Sequence, residues 1–178
     1  LTLTGTDAGN YTLAATTAEG AGTITRRMLT FNGVTAQTKT YDGNTAADAS
    51  KFRGALAGVV KGEENSVTAT AGGAAYNDKN VAAANTVHYT GVALTGTGAG
   101  NYTIATTAEG AGTITRRALT LGGVTAQSKT YDGTTSADAA KFRATLAGVV
   151  NGEENSVSAT AAGAAYNDKN VAAANTVH

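Results

Sequence analysis

"KTYDGNTAADASKF" runs from Lys39 to Phe52, and ninety residues later the chain reads "KTYDGTTSADAAKF", from Lys129 to Phe142. A Tyr-Asp-Gly beside a lysine has two readings. It is the corner of an active site, or it is a tight turn that a β-module needs once per repeat. The recurrence favours the second, because self-similarity at a fixed period is the signature of a repeat architecture. Residues 28–88 match residues 118–178 with 12 differences in 61 positions. The opening "LTGTDAGNYTLAATTAEGAGTITRR" (3–27) returns as "LTGTGAGNYTIATTAEGAGTITRR" (94–117), one residue shorter, so the offset is 91 before this deletion and 90 after it. The chain is two periods long to within three residues and is expected to be an excerpt of a longer tandem array. One complete module is assigned to 28–117, the last strands of a preceding module to 1–27, and the first two-thirds of the next to 118–178.

Composition narrows the fold. Of 178 residues 23 are glycine, none is tryptophan or cysteine, three are Phe and one is Met. Much of the 42% hydrophobic share is alanine, so only small cores are available. The residues that favour long helices are scarce, while Thr, Val and Tyr in Gly-punctuated stretches favour short strands. Val67, Ala69 and Ala71 alternate onto one face, as do Val87, Tyr89 and Gly91. Turn residues follow at Asp42-Gly43, Lys61-Gly62, Asn77-Asp78 and Gly98–Asn101. Strands of this length, with a turn every 8–12 residues, predict an all-β chain of tandem antiparallel sandwich modules. One stretch dissents: Phe52, Leu56 and Val59 lie at helical spacing, which predicts a short helix within 47–60.

The ordered set "KTYDG", "LAGVVKGEENSVTAT", "AAYNDKNVA", "LTGTGAGNYTI" and "GTITRRALTL" resembles the YDG-type, MBG-like bacterial repeat domains. The resemblance covers 28–117 in full and the flanking segments in part. It implies immunoglobulin-like β-modules, in tandem within large filamentous-haemagglutinin-like surface adhesins. Tyr41, Asp42, Gly43, Asn101 and Tyr102, with Tyr131, Asp132 and Gly133 in the next copy, form the module signature. The family often has a proline at the module junction. Here Arg26-Arg27 and Arg116-Arg117 stand there and the chain has no proline, which predicts a less rigid joint.

Chemistry is sparse. Charge balances at 13 against 13 and no basic run exceeds an arginine pair, so no nucleic-acid partner is expected. No stretch approaches the ~20 apolar residues of a membrane-spanning helix. His88 and His178 are repeat equivalents with no second histidine in their module, and no nucleophile–base set accompanies them, so no enzyme and no cofactor is expected. Asp42, Asp48, Glu63, Glu64 and Asp78 are the candidates for a calcium site, against the plainer reading of solvated turn carboxylates. Lys39 and Asn101, with Asp42, are the candidates for a lysine–asparagine cross-link of the kind some bacterial immunoglobulin-like adhesin modules carry. The plainer reading makes Lys39 a surface residue and Asn101 a turn residue.

The expected function is that of a structural, adhesive repeat: an extended stalk or fibre at a bacterial surface whose partners are neighbouring copies of the module and an unidentified surface or glycan. Residues 1–27 of one chain would complete 118–178 of another by strand addition, giving head-to-tail assembly. The alternative is a carbohydrate-binding module, which needs Tyr41, Tyr76, Tyr89 and Tyr102 exposed along a groove.

Overall fold

The computed structural model describes residues 1–178 and is all-β, with no helix beyond single 3₁₀ turns. Twelve strands follow in order: β1 Arg27–Met28, β2 Thr30–Val34, β3 Gln37–Thr40, β4 Gly54–Ala57, β5 Thr68–Thr70, β6 Gly73–Tyr76, β7 Thr86–Thr90, β8 Ala93–Thr95, β9 Tyr102–Thr103, β10 Thr107–Thr115, β11 Thr120–Gly122 and β12 Thr145–Ala147. Ten of them lie within residues 27–115.

The organising element is β10. It lies inside a four-stranded sheet of order β3-β10-β7-β6, antiparallel to β7 and parallel to β3. The pairs β2–β4 and β5–β8 are antiparallel, and β1–β9 is parallel. The first strands of the module therefore pair with its last ones, in the same direction. Arg27 lies opposite Tyr102 and Thr40 opposite Thr115, so both segments advance 13 residues between the two pairings. At about 3.3 Å per residue this is up to about 40 Å of travel. Parallel closure thus puts chain entry and chain exit at opposite poles.

Two small clusters form the core. Phe52, Tyr76, Val87, Tyr89, Val92 and Ile114 are buried together, with Phe31 and Val34 of β2 and Ala69 of β5 packed on them. Phe52 meets Phe31 edge-on and tilts against Tyr89, at centroid separations of 5.5 and 4.8 Å, favourable aromatic geometry. Leu29, Val67 and Tyr102 form the second cluster, and Ile104 touches both. The one buried polar side chain is satisfied: Gln37 donates to the Asp48 carbonyl (2.9 Å) and to the Tyr89 hydroxyl (2.7 Å).

The helix expected within 47–60 does not form. Asp48 caps a single 3₁₀ turn, Ala49–Lys51, by accepting from the Ser50 amide, and the chain then enters β4. The helical spacing is overridden because β2 offers a ladder: Leu56 pairs with Phe31 and Ala57 with Thr30, while Phe52 drops into the core.

Two segments carry β10's neighbours or its sequence without its pairing. "GAGTITRR" occurs at 20–27 and at 110–117. At 20–26 it forms no strand, and Ile24 is 100% exposed; at 110–115 it is β10, and Ile114 is 1% exposed. Residues 127–130, the counterpart of β3, form no strand, and 163–166 and 176–178 make isolated bridges only.

Within β10 the close approach is set by glycine. A Cβ at Gly112 would lie 2.9–3.0 Å from the Val87 side chain, the Thr86 backbone and the Tyr76 ring. Gly112→Ala is expected to cost about 1–3 kcal/mol by overpacking. Its repeat equivalent Gly22 faces open space, so Gly22→Ala leaves stability unchanged within error. Urea unfolding of the two variants compares them directly, and equal costs would rule out this packing account.

Candidate functional site: the Tyr-Asp-Gly corner

The Tyr-Asp-Gly corner follows β3 directly. Lys39, in that strand, turns its ammonium back over the corner and donates to Asp42 Oδ1 (2.7 Å), the Asn44 carbonyl (2.8 Å), Asn44 Oδ1 (3.0 Å) and the Ala46 carbonyl (3.0 Å). It also sits 5.3 Å from the Tyr76 ring centroid, within cation–π range. Asp42 Oδ1 accepts from the Asn44 amide, an Asx turn, and Gly43 takes the φ of +82° that the turn requires. The lysine is thus the hub of the corner, a role its surface-residue reading missed. A lysine two residues before Tyr-Asp-Gly, in both copies, is the signal that could have found it.

The second copy repeats the arrangement. Lys129 donates to Asp132 Oδ1 (2.9 Å), the Thr134 carbonyl (2.8 Å) and Thr134 Oγ1 (3.0 Å), and stands 5.4 Å from the Tyr166 ring centroid. Gly133 has φ +75°. The corner forms there without a β3 partner strand, so it is locally encoded.

The lysine–asparagine pair is not brought together. Lys39 lies opposite Ile114 near one pole, whereas Asn101 ends a 3₁₀ turn next to Tyr102, which pairs with Arg27 near the other. With its ammonium spent on four acceptors, Lys39 is not aimed at an amide carbon, and the cross-link geometry is absent. The five carboxylates are likewise dispersed into separate bonds, four of them local. Asp48 takes the Ser50 amide, Glu63 the Tyr102 hydroxyl, Glu64 the Gly62 amide (2.8 Å) and Asp78 the Asn80 amide (2.6 Å). No three acidic or histidine side chains converge. His88, exposed on β7, faces Glu109 across the sheet at 3.0 Å.

Of the four tyrosines, Tyr76, Tyr89 and Tyr102 are buried. Tyr41 is half-buried: its ring packs on the larger core cluster, and its hydroxyl points to the following repeat. Its phenol is pushed above its ordinary value, first because the hydroxyl donates to Glu153.

An all-β chain built from a repeated module, each copy carrying a lysine-braced Tyr-Asp-Gly corner, defines the class as a tandem β-repeat protein. The YDG domain family matches it twice, over residues 25–109 and 115–178, again ninety residues apart, and the chain belongs to that family. No curated protein and no solved structure matches it. No helix is long and apolar enough to cross a membrane.

The lysine bond holds the Asp42 carboxyl below its ordinary 3.8, and the same bond with the Thr134 groups brings Asp132 to about 2. A depressed carboxyl stabilises the folded corner above its ordinary value and loses that contribution as pH falls through the folded-state value. Carboxyl ¹³C titration is expected to place both midpoints below 3.8, with Asp132 at about 2. A midpoint at the ordinary value for either residue would mean that its lysine brace is not populated in solution.

Proposed function

We propose that this chain is a segment of an extended array of YDG modules that serves as the structural and adhesive stalk of a bacterial surface protein. The observation that carries the reading is parallel closure. Because β1 runs parallel to β9 and β3 to β10, the chain leaves each module at the pole opposite its entry. Successive modules then follow head to tail, with stability summed over modules and nearest-neighbour contacts. The immunoglobulin-like framing belongs to this proposal: a module of short strands whose early strands β1 and β3 lie beside the late strands β9 and β10. So do extracellular location and adhesion to cells or surfaces. Many low-charge, Thr-, Ala- and Gly-rich faces held in a row suit weak multivalent contact. A carbohydrate-binding module would need an aromatic platform, and burial of Tyr76, Tyr89 and Tyr102 leaves it only Tyr41 among the four.

Strand addition offers a route from arrays to fibres. A groove of about 430 Å³ in residues 118–178 is lined by Val124, Phe142, Tyr166 and Val177 among others. Their counterparts Val34, Phe52, Tyr76 and Val87 pack around Gly110, Gly112 and Ile114 of β10. The groove therefore suits the segment "GAGTIT", supplied from later in the same chain or from residues 20–25 of another.

Arrays of two, four and eight modules are expected to lengthen linearly in small-angle scattering, by up to about 40 Å per module. Beads coated with the longer arrays are expected to retain more bacteria or host cells than beads carrying the same mass of single modules. Compact scattering profiles would remove the stalk, and retention independent of module number would remove the multivalent adhesion. Strand addition predicts that sedimentation of the 178-residue chain shifts to larger species with concentration, and that deleting residues 1–26 abolishes the shift; a monomer at every concentration excludes it.

A further inference from the structure

The two repeats touch through a small set of residues. The Tyr41 hydroxyl donates to Glu153 Oε1 at 2.6 Å, and Lys79 Nζ approaches the same oxygen at 3.3 Å. A Cβ on Gly43 would lie 2.8 Å from Val150 Cγ1, so the third residue of the Tyr-Asp-Gly corner is pressed against the next repeat. Arg117, in the connection, donates through Nε to the Gly148 carbonyl (2.6 Å) and ties the linker to the same loop. Between the repeats is a cavity of about 340 Å³ lined by Tyr41 and Val81 on one side and by Leu119, Val150 and Val157 on the other. The loop that is gripped, "AGVVNGEEN" (147–155), belongs to the repeat that follows the corner.

The equivalent residues elsewhere in the chain indicate what this contact does. Tyr131, Gly133 and Val171 are the counterparts of Tyr41, Gly43 and Val81. No "GEEN" loop lies against them: Tyr131 is 59% exposed, Val171 81% exposed, and Gly133 has nothing near its Cβ direction. Val60, the counterpart of Val150, has no corner against it and is 44% exposed. Gly133 and Val60 are thus open where no partner faces them, while Tyr131 and Val171 lack in addition the strand that β10 supplies to the core under Tyr41 and Val81. Glu63, the counterpart of Glu153, accepts the Tyr102 hydroxyl of its own module on Oε2, while Glu153 accepts Tyr41 of the preceding module on Oε1. A carboxylate has acceptor capacity for both bonds at once.

We propose that the Tyr-Asp-Gly corner is the docking site for the following repeat, and that the first glutamate of each "GEEN" loop is the acceptor it clasps. The corner tyrosine and the "NDKN" lysine of one module hold that glutamate, the corner glycine admits the loop's valine, and the angle between consecutive modules is fixed. The same glutamate keeps its second oxygen for the late tyrosine of its own module, so the joint is anchored to the fold of both partners. This deepens the array reading and rests on it in taking adjacent repeats as the natural partners. A joint that proves loose would leave strand closure and adhesion untouched, and a failure of adhesion would leave the joint intact.

The chain has no cysteine, so spin labels at Lys51→Cys and Lys141→Cys, both exposed positions on different repeats, report the joint alone. Pulsed dipolar spectroscopy on the labelled 178-residue chain is expected to give one narrow distance distribution. Tyr41→Phe, which keeps the ring in the core, and Glu153→Gln should each broaden it at least twofold. Tyr131→Phe and Glu63→Gln, which alter equivalent residues away from this joint, should leave the width unchanged. Val150→Ser, outside the 28–117 core, provides a third disruption that does not depend on the hydrogen bond. Unchanged widths for Tyr41→Phe, Glu153→Gln and Val150→Ser would overturn the proposal, as would equal broadening by the control substitutions.

Discussion

The module depends on one strand finding its place. β10 carries the ladder on both sides, to β3 in parallel and to β7 antiparallel, and it inserts Ile114 into the larger core cluster. Its glycines allow the approach: at Gly112 no room remains for a methyl group. Where the same sequence lies unpaired at 20–26, its isoleucine is bare. The enthalpy of a ladder and the burial of Tyr76, Val87 and Tyr89 come together only when this last segment arrives. A module of this kind is therefore closed by its sequence-distant end, a non-local contact that must bear the loop-closure cost of the residues between.

The division between local and non-local information explains what could be read in the sequence. Turns were legible because they are held by their own residues. The Asp42 and Asp132 corners form alike, and so do the Asn77 and Asn167 loops: Asn77 Oδ1 takes the Asn85 and Thr86 amides at 3.0 Å, and Asn167 Oδ1 takes those of Asn175 and Thr176 at 2.9 Å. Alternation correctly paired Val87 with Tyr89 on the buried face. The helical spacing of Phe52, Leu56 and Val59 misled, because a ladder with β2 outweighs the period of a few apolar residues in a short segment. Parallel pairing was illegible for a different reason. Nothing in the composition of β3 or β10 states direction, and two of the seven pairings are parallel where an antiparallel module was expected.

The candidate site was legible as a corner and illegible as a contact. Tyr-Asp-Gly with a nearby lysine announces a turn, and the turn is there. What the sequence does not carry is the partner 112 residues away. A glutamate in "GEENS" and a tyrosine in "KTYDG" have no periodic relation that would link them, so only their placement at facing poles makes the link visible. The same holds for the cross-link reading in reverse. Lys39 and Asn101 have suitable types and order, yet parallel closure separates them to opposite ends.

Closure of the module and the proposed joint to its neighbour share the end of β10. The last residue of β10, Thr115, accepts the Tyr41 amide on its carbonyl at 2.8 Å and donates from its hydroxyl to the Lys39 carbonyl at 3.3 Å. Docking β10 therefore sets the backbone of the corner whose hydroxyl reaches Glu153. Two residues later the same strand has become the connection, and Arg117 is bonded to the next repeat's loop. A module whose last strand is undocked keeps its locally held corner but loses its core lid, the Thr115 bonds behind the corner and the starting point of its linker together. On the proposed joint, neighbouring repeats are coupled through β10 itself, a nearest-neighbour contribution of the kind that stabilises rows of small modules.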